Sequence, residues 1–92
     1  MRKVLKFVSG GPITIKTCEG VKPYPVRRIR VKGYGRFEFD EFIGTVSCED
    51  ALLDLHEGDV LLGNMSFFVY KHKGRLLQRV SLSNLVKMKE VD

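Results

Sequence analysis

The amino-acid sequence predicts an all-β fold, a small closed barrel with one short helix. Apolar and polar residues alternate with a period of two over most of the chain, which is typical of half-buried strands. Only residues 47–56 have the spacing of a helix. The length of 92 residues allows a single domain, residues 1–92, with a small core that gains from oligomerisation.

Glycine and proline divide the first half of the chain into strands. Residues 1–8 are rich in strand-forming side chains, and Gly10-Gly11-Pro12 separates them from the alternating run 13–18. These two runs could be one strand bent at the glycines. The two prolines of residues 22–25 predict an extended loop or a sheet edge. A further strand covers residues 26–32.

The second half of the chain predicts a long hairpin. Gly33-Tyr34-Gly35 predicts a kink or turn before it. Residues 60–71 and 75–88 alternate as two long strands, and Gly74 between them can adopt the positive φ that a tight turn needs.

The phenylalanines are expected mainly in the core. Phe42 is one residue out of step with Phe37 and Phe39, which indicates a bulge. Large aromatic side chains are usually buried. We therefore expect core positions for Phe7, Phe37, Phe39, Phe42, Phe67 and Phe68.

The helical segment points to a particular barrel. Ser47 can cap a helix, acids follow in the first turn, and Leu52 and Leu55 are three residues apart. The segment ends at Glu57-Gly58, and an apolar strand follows. A helix before the fourth strand of a five-stranded Greek-key barrel is typical of the oligonucleotide-binding (OB) fold. The predicted fold class is therefore a five-stranded OB-type barrel with one short helix before the C-terminal hairpin.

Charge is segregated along the chain. The net charge is +5, yet residues 1–36 carry ten Lys and Arg against Glu19 alone. Residues 37–59 carry eight acids and no Lys or Arg, and residues 60–92 carry six basic and two acidic residues. A merely soluble surface would mix the signs, so this distribution favours a polyanionic partner. The acidic block could face away from that partner or bind a protein.

Motifs for catalysis or metal binding are weak in this sequence. Cys18 and Cys48 are thirty residues apart and form no cluster with His56 and His72. Carboxylates at Glu38 and nearby positions could bind Mg²⁺ but lack a second acidic group at a distance. We therefore expect no enzyme, no cofactor and no metal. The absence of a long apolar run predicts a cytoplasmic protein with no membrane association.

Three features resemble a known family. Gly20-Val21-Lys22-Pro23-Tyr24 is similar to a Gly-Lys-Pro-Tyr segment, Gly58 to Val86 is similar to a C-terminal hairpin with a Ser-Phe pair, and the first third is basic. Together they resemble the helix-destabilising, single-stranded-DNA-binding proteins of filamentous bacteriophages over about residues 13–88. The sequence departs from that pattern in the helical segment and in the run Arg27-Arg28-Ile29-Arg30. The hairpin tip also lacks the family's aromatic residue.

The resemblance implies a function and an assembly. Proteins of that family have an OB-type fold, form dimers and coat a phage's single strand cooperatively, and their Gly-Lys-Pro-Tyr tyrosine, here Tyr24, contacts the strand. It implies a homodimer in the cytoplasm, the host's if the protein is phage-encoded. Bacterial and plasmid single-strand binders of the same fold are alternatives.

Candidate contact residues combine cations for phosphates with rings for bases. In the strand 26–32 the even positions include Arg28, Arg30 and Lys32 and the odd positions include Ile29 and Val31, so one face is cationic. The candidates are Lys22, Tyr24, Arg27, Arg28, Arg30, Lys32, Tyr34, Arg36, Tyr70, Lys71, Lys73, Arg75 and Arg79. Phe68 shares a face with Tyr70 and could also stack.

The sequence therefore predicts sequence-independent binding and coating of single-stranded DNA in a replication-associated role, without a small-molecule substrate. Two alternatives remain open: an RNA-binding barrel of the same type, and a small β-barrel that serves as a protein-interaction or structural module.

Overall fold

The computed structural model describes residues 2–33 and 41–88. Its strands are β1 (Arg2–Gly10), β2 (Thr14–Cys18), β3 (Val21–Gly33), β4 (Phe42–Ser47), β5 (Val60–His72) and β6 (Arg75–Met88), and a 3-10 helix (Cys48–Leu52) follows β4. The predicted all-β fold is confirmed. The predicted kink at 33–35 lies largely outside the described residues. The predicted bulge near Phe37 and Phe39 also falls on residues outside them.

Five strands close into a ring. The order around the barrel is β1, β3, β4, β6, β5 and back to β1. Every pair is antiparallel except β4–β6, which is parallel at Thr45 and Ser81. With the helix between β4 and β5, this is the five-stranded barrel of OB type that the sequence predicts.

β2 lies beside β3 in line with β1. Gly10 at the end of β1 is opposite Ile29, and Thr14 at the start of β2 is opposite Val26. Between them, the Gly11 amide donates a hydrogen bond of 2.8 Å to the Arg28 carbonyl. β1 and β2 therefore act as one strand bent at the glycines, as the sequence suggested.

The barrel interior is filled by the apolar side chains of alternating positions. Ile29 and Val31 of β3 are buried, while Arg28, Arg30 and Lys32, which alternate with them, are exposed. The buried core consists of Leu5, Phe7, Ile29, Val31, Val46, Ala51, Leu61, Met65, Leu82 and Leu85. Burial of these side chains stabilises the fold by about 1.5–3 kcal/mol for each large residue.

The prediction of a helix over residues 47–56 is wrong in extent and type. Only Cys48–Leu52 are helical, as a single 3-10 segment, and Leu53 returns to extended backbone at φ −62° and ψ 138°. Leu53 and Leu55 then pack against the core from this extended segment. An isolated helix of two turns is marginal in water, so tertiary packing decided the local structure.

Asp50 joins this helix to β6. In β6, Asn84 and Leu85 oppose the single residue Gly63 of β5, so the strand has a β-bulge there. Asp50 accepts hydrogen bonds of 3.1 Å from both of these amides. The carboxylate therefore completes the bulge and fixes the helix against the sheet.

We expect Asp50→Ala to lower the free energy of unfolding by about 1–3 kcal/mol, because the exposed Asn84 amide and the partly buried Leu85 amide lose their acceptor. Chemical denaturation measures this change. Glu49→Ala is the matched control, since Glu49 is exposed in the same turn, and it should shift stability by less than about 0.5 kcal/mol. Equal effects of the two substitutions would contradict the role given to Asp50.

The β5–β6 hairpin extends beyond the barrel. Its tip is a two-residue turn in which Lys73 (φ 51°) and Gly74 (φ 77°) both have positive φ, as a type I′ turn requires. Residues 66–80 form the protruding part, here called the ribbon, and residues 66–78 are all exposed. The predicted hairpin is confirmed almost to its end residues.

The ribbon overturns part of the core prediction. Phe67 and Phe68 are 62% and 53% exposed, so the prediction that they belong to the core is wrong. The buried face ends at the pair Met65 and Leu82, because no other strand of residues 2–33 and 41–88 covers the hairpin beyond it. Phe7 is buried and Phe42 packs partly buried against the core.

Candidate nucleic-acid interface

A row of residues in register, three of them with small hydroxyl side chains, crosses four strands on the outer surface of the barrel. Arg28 of β3 is opposite Thr45 of β4, Thr45 pairs with Ser81 of β6, and Ser81 is opposite Ser66 of β5. Residues in register on neighbouring strands point to the same face. Short hydroxyl side chains thus form the floor of a depression, and larger side chains on either side form its walls.

This depression, here called the groove, is lined by side chains from β2, β3, β4, β5 and β6. Around Tyr24 it encloses about 350 Å³. Its principal lining residues are Lys16, Tyr24, Val26, Arg28, Thr45, Ser47, Phe68, Tyr70, Arg79 and Ser81. A second depression continues past Gly11 to Arg30 and Ile43.

Three aromatic rings line the groove. Tyr24 is half-buried, while Phe68 and Tyr70 are 53% and 45% exposed and lie across the groove on the ribbon. Partial desolvation, and then the Cys18 thiol with which its hydroxyl hydrogen-bonds, raise the pKa of Tyr24 above its ordinary value. The phenol therefore stays neutral at physiological pH and does not repel phosphates.

Four cations of the groove come from three strands. Arg28 and Arg30 lie on the outer face of β3, Lys16 lies on β2, and Arg79 of β6 is opposite Phe68. The Arg30 guanidinium is 3.9 Å from the Glu41 carboxylate, an exposed ion pair of little energetic weight. Lys32, exposed on the same face of β3, extends the cationic row.

Arg27 has a structural environment that its neighbours lack. Its Nε donates a 2.8 Å hydrogen bond to the Gly11 carbonyl, and its guanidinium lies 5.8 Å from the centre of the Phe7 ring. A Cβ at Gly10 would collide with this guanidinium. Arg27 therefore holds the bend between β1 and β2, although it also borders the groove near Gly11.

The remaining candidates lie at the ends of this surface. Lys22 is exposed and shares the outer face of β3 with Tyr24. Lys73 and Arg75 are exposed at the ribbon tip, whereas Lys71 pairs with Leu76 on the opposite face of the ribbon from Tyr70. Tyr34 and Arg36 lie outside the described residues.

Sequence reasoning missed part of the groove. Lys16, Thr45 and Ser81 were not candidates, and Phe68 was expected mainly in the core, with stacking beside Tyr70 as the alternative. Lys16 could have been found, since it alternates with Ile15 in a strand next to Tyr24. Thr45 and Ser81 could not, because their pairing joins strands that are far apart in the sequence.

The groove lining is electropositive. Among the lining residues in the described part of the chain there is no Asp or Glu. Asp59 lies elsewhere, near the end of β6, where the His56 amide and the Lys87 ammonium bind its carboxylate and lower its pKa. Acids and cations meet on the surface where Glu41 pairs with Arg30 and where Asp59 pairs with Lys87.

Within residues 2–33 and 41–88, no three His, Cys, Asp or Glu side chains come together in a way that could hold a metal ion. No helix among the same residues is long and apolar enough to cross a membrane.

Comparison with protein-family models, with curated proteins and with solved structures finds no match. The fold and the groove therefore define the class by themselves: an all-β barrel of OB type with a basic surface lined by aromatic rings.

Proposed function

We propose that this protein binds and coats single-stranded DNA in its groove without sequence preference, as a cytoplasmic, replication-associated protein. The observation that carries the proposal is the convergence of Tyr24, Phe68 and Tyr70 with Arg28 and Arg79 on one face. Stacking rings beside phosphate-binding cations are the two components that single-strand binders share.

The position of the groove in the fold supports the proposal. OB-type barrels bind oligonucleotides on the face of their second and third strands, between the first-to-second loop and the fourth-to-fifth loop. Here β3 and β4 are the second and third strands of the ring, β2 lies in the first connection, and the ribbon is the fourth connection. Tyr24, Phe68, Tyr70, Arg28 and Arg79 all lie in this region.

The lining also favours an unpaired strand over a duplex. The rings of Tyr24 and Phe68 line the groove, and stacking on them requires bases that are themselves unstacked. The hydroxyls of Thr45, Ser47 and Ser81 can donate to or accept from any base or sugar, so they add contacts with little sequence preference.

A salt titration with poly-dT tests the proposal. We expect the logarithm of the affinity to fall linearly with the logarithm of salt concentration, by about 0.7 for each phosphate neutralised. Arg28→Ala should make this slope shallower by about 0.7, because it removes one phosphate contact. Arg2→Ala, the same charge change at an exposed β1 position outside the groove, should leave the slope unchanged.

The affinities for poly-rU and for a duplex are compared with the affinity for poly-dT. Poly-rU separates DNA from RNA binding, and a duplex of equal length tests the preference for an unpaired strand. Tighter binding to the duplex, or equal slopes for wild type and Arg28→Ala, would refute the proposed groove.

A further inference from the structure

A row of cations continues from the groove towards the end of β3. On the outer face of this strand, Arg28, Arg30 and Lys32 follow one another at two-residue steps, which are roughly 7 Å each. On β1, Ser9 is opposite Arg30 and Lys6 is opposite Lys32. Residues in register share a face, so these side chains form one surface, here called the track.

A pocket joins the track to the groove. It encloses about 330 Å³ between β4 and the bend of β1 and β2, and Arg28 and Arg30 line it together with Ser9, Gly11 and Ile43. Among the described residues that line this pocket there is no aromatic ring. The track therefore offers cations and a hydroxyl group, and it has no ring on which a base could stack.

An anion already lies beside the track. The Glu41 carboxylate is 3.9 Å from the Arg30 guanidinium, and both side chains are about half exposed. An exposed ion pair of this kind contributes little to stability, so a phosphate can replace the carboxylate at small cost. Arg30 is therefore available to a bound strand.

The spacing of the track suits an unstacked strand. Along one strand of a duplex the phosphates are about 3.4 Å apart, which is about half of the step between neighbouring cations of the track. A strand that is pulled out of its stack can lengthen until its phosphates match that step. A free phosphate engages one cation at a time, whereas a polymer engages the whole row.

We propose that the track is a second section of the nucleic-acid site, which holds the sugar-phosphate backbone of the strand and leaves its bases free. This second section rests on the proposed function, because the strand must also occupy the groove. The site then stacks bases at Tyr24 and Phe68 and contacts only phosphates at Lys6 and Arg30. Its substrate class therefore includes strands whose bases are missing or modified over the second section.

Strands with abasic nucleotides test the proposal. The probes are an oligo-dT of about six nucleotides and the same oligo-dT extended at its 5′ or its 3′ end by about four abasic nucleotides. We expect one of the two extended strands to bind about tenfold more tightly than the unextended one, because charge-assisted contacts form without any added base. Its affinity should also fall more steeply with salt, by about 0.7 in the log–log slope for each added phosphate contact.

Variants of the track identify the cause of this gain. Arg30→Ala and Lys6→Ala should each remove most of it, whereas Arg2→Ala should keep it, since Arg2 precedes Lys6 by roughly 13 Å on the same face of β1. Glu41→Gln should enlarge the gain, because it removes the competing carboxylate at Arg30. Glu49→Gln, the same charge change at an exposed position of the 3-10 helix, should leave it unchanged.

The unextended oligo-dT separates the track from the groove. The track is refuted if neither extended strand binds more tightly, or if Arg30→Ala and Arg2→Ala reduce the gain equally. Binding of the unextended oligo-dT that depends on Tyr24 and Phe68 would then leave the proposed function standing. Absence of binding to all three strands would refute the proposed function and the track together.

Discussion

Alanine at Tyr24 or at Phe68 is expected to weaken binding of single-stranded DNA by about 5- to 150-fold, which corresponds to roughly 1–3 kcal/mol for the loss of one stacked base. Both side chains line the same part of the groove, from β3 and from the ribbon. If both rings contact the same base, the double variant should lose less than the product of the two single effects. Fluorescence anisotropy with a labelled oligo-dT at fixed salt measures the three affinities.

Conservative variants separate stacking from other contributions. Tyr24→Phe keeps the ring and removes only the hydroxyl that contacts Cys18, so it should retain most of the affinity. Phe68→Leu keeps an apolar side chain but has no π face, so it should lose nearly as much as Phe68→Ala. Since Phe68 is exposed, thermal melting should show the fold unchanged. Affinity that survives both alanine substitutions would remove the rings from the site.

Opposite volume changes at Gly44 and Leu82 should compensate each other. Gly44 of β4 is buried, and a Cβ there would lie 2.6 Å from Leu82 Cδ1 across the parallel contact with β6. Gly44→Ala should therefore destabilise the barrel by about 1–3 kcal/mol through overpacking. Leu82→Ala, at a position that is 2% exposed, should cost about 2–5 kcal/mol because it leaves a cavity.

The double variant Gly44→Ala/Leu82→Ala tests whether the two residues are in contact. Leu82→Ala removes the atoms with which an alanine at residue 44 would clash. The loss of unfolding free energy in the double variant should therefore be smaller than the sum of the two single losses, by about 0.5–3 kcal/mol. Urea denaturation of the four proteins gives this coupling energy. Strict additivity would mean that Gly44 and Leu82 do not form the contact that closes β4 against β6.

The alternation of residue types was enough to predict which side of β3 is buried. Ile29 and Val31 lie in the core, and Arg28, Arg30 and Lys32 are exposed on one face, as the period-two pattern indicated. The ends of β5 and β6 were also predicted closely, because a glycine turn separates two long alternating runs. These features depend on neighbours in the sequence, where local sterics and burial act together.

The same pattern failed where burial depends on distant strands. Phe67 has the periodicity of a core residue, yet in the part of the chain that the structure describes no strand covers it beyond Met65 and Leu82. Residues 47–56 carry helix signals, yet Leu53 and Leu55 reach the core in extended backbone. The alternation of apolar and polar residues predicts on which side of a strand a residue lies. It does not predict whether another layer of the protein covers that side.

The sequence alone determined the strand content, the cationic side of β3 and the hairpin, because side-chain alternation and turn chemistry act over a few residues. Only the tertiary structure decided the groove, because Arg28, Thr45, Ser81 and Ser66 become neighbours when the barrel closes. That closure includes the parallel contact between β4 and β6, whose register is fixed by packing of the whole core and by no local signal.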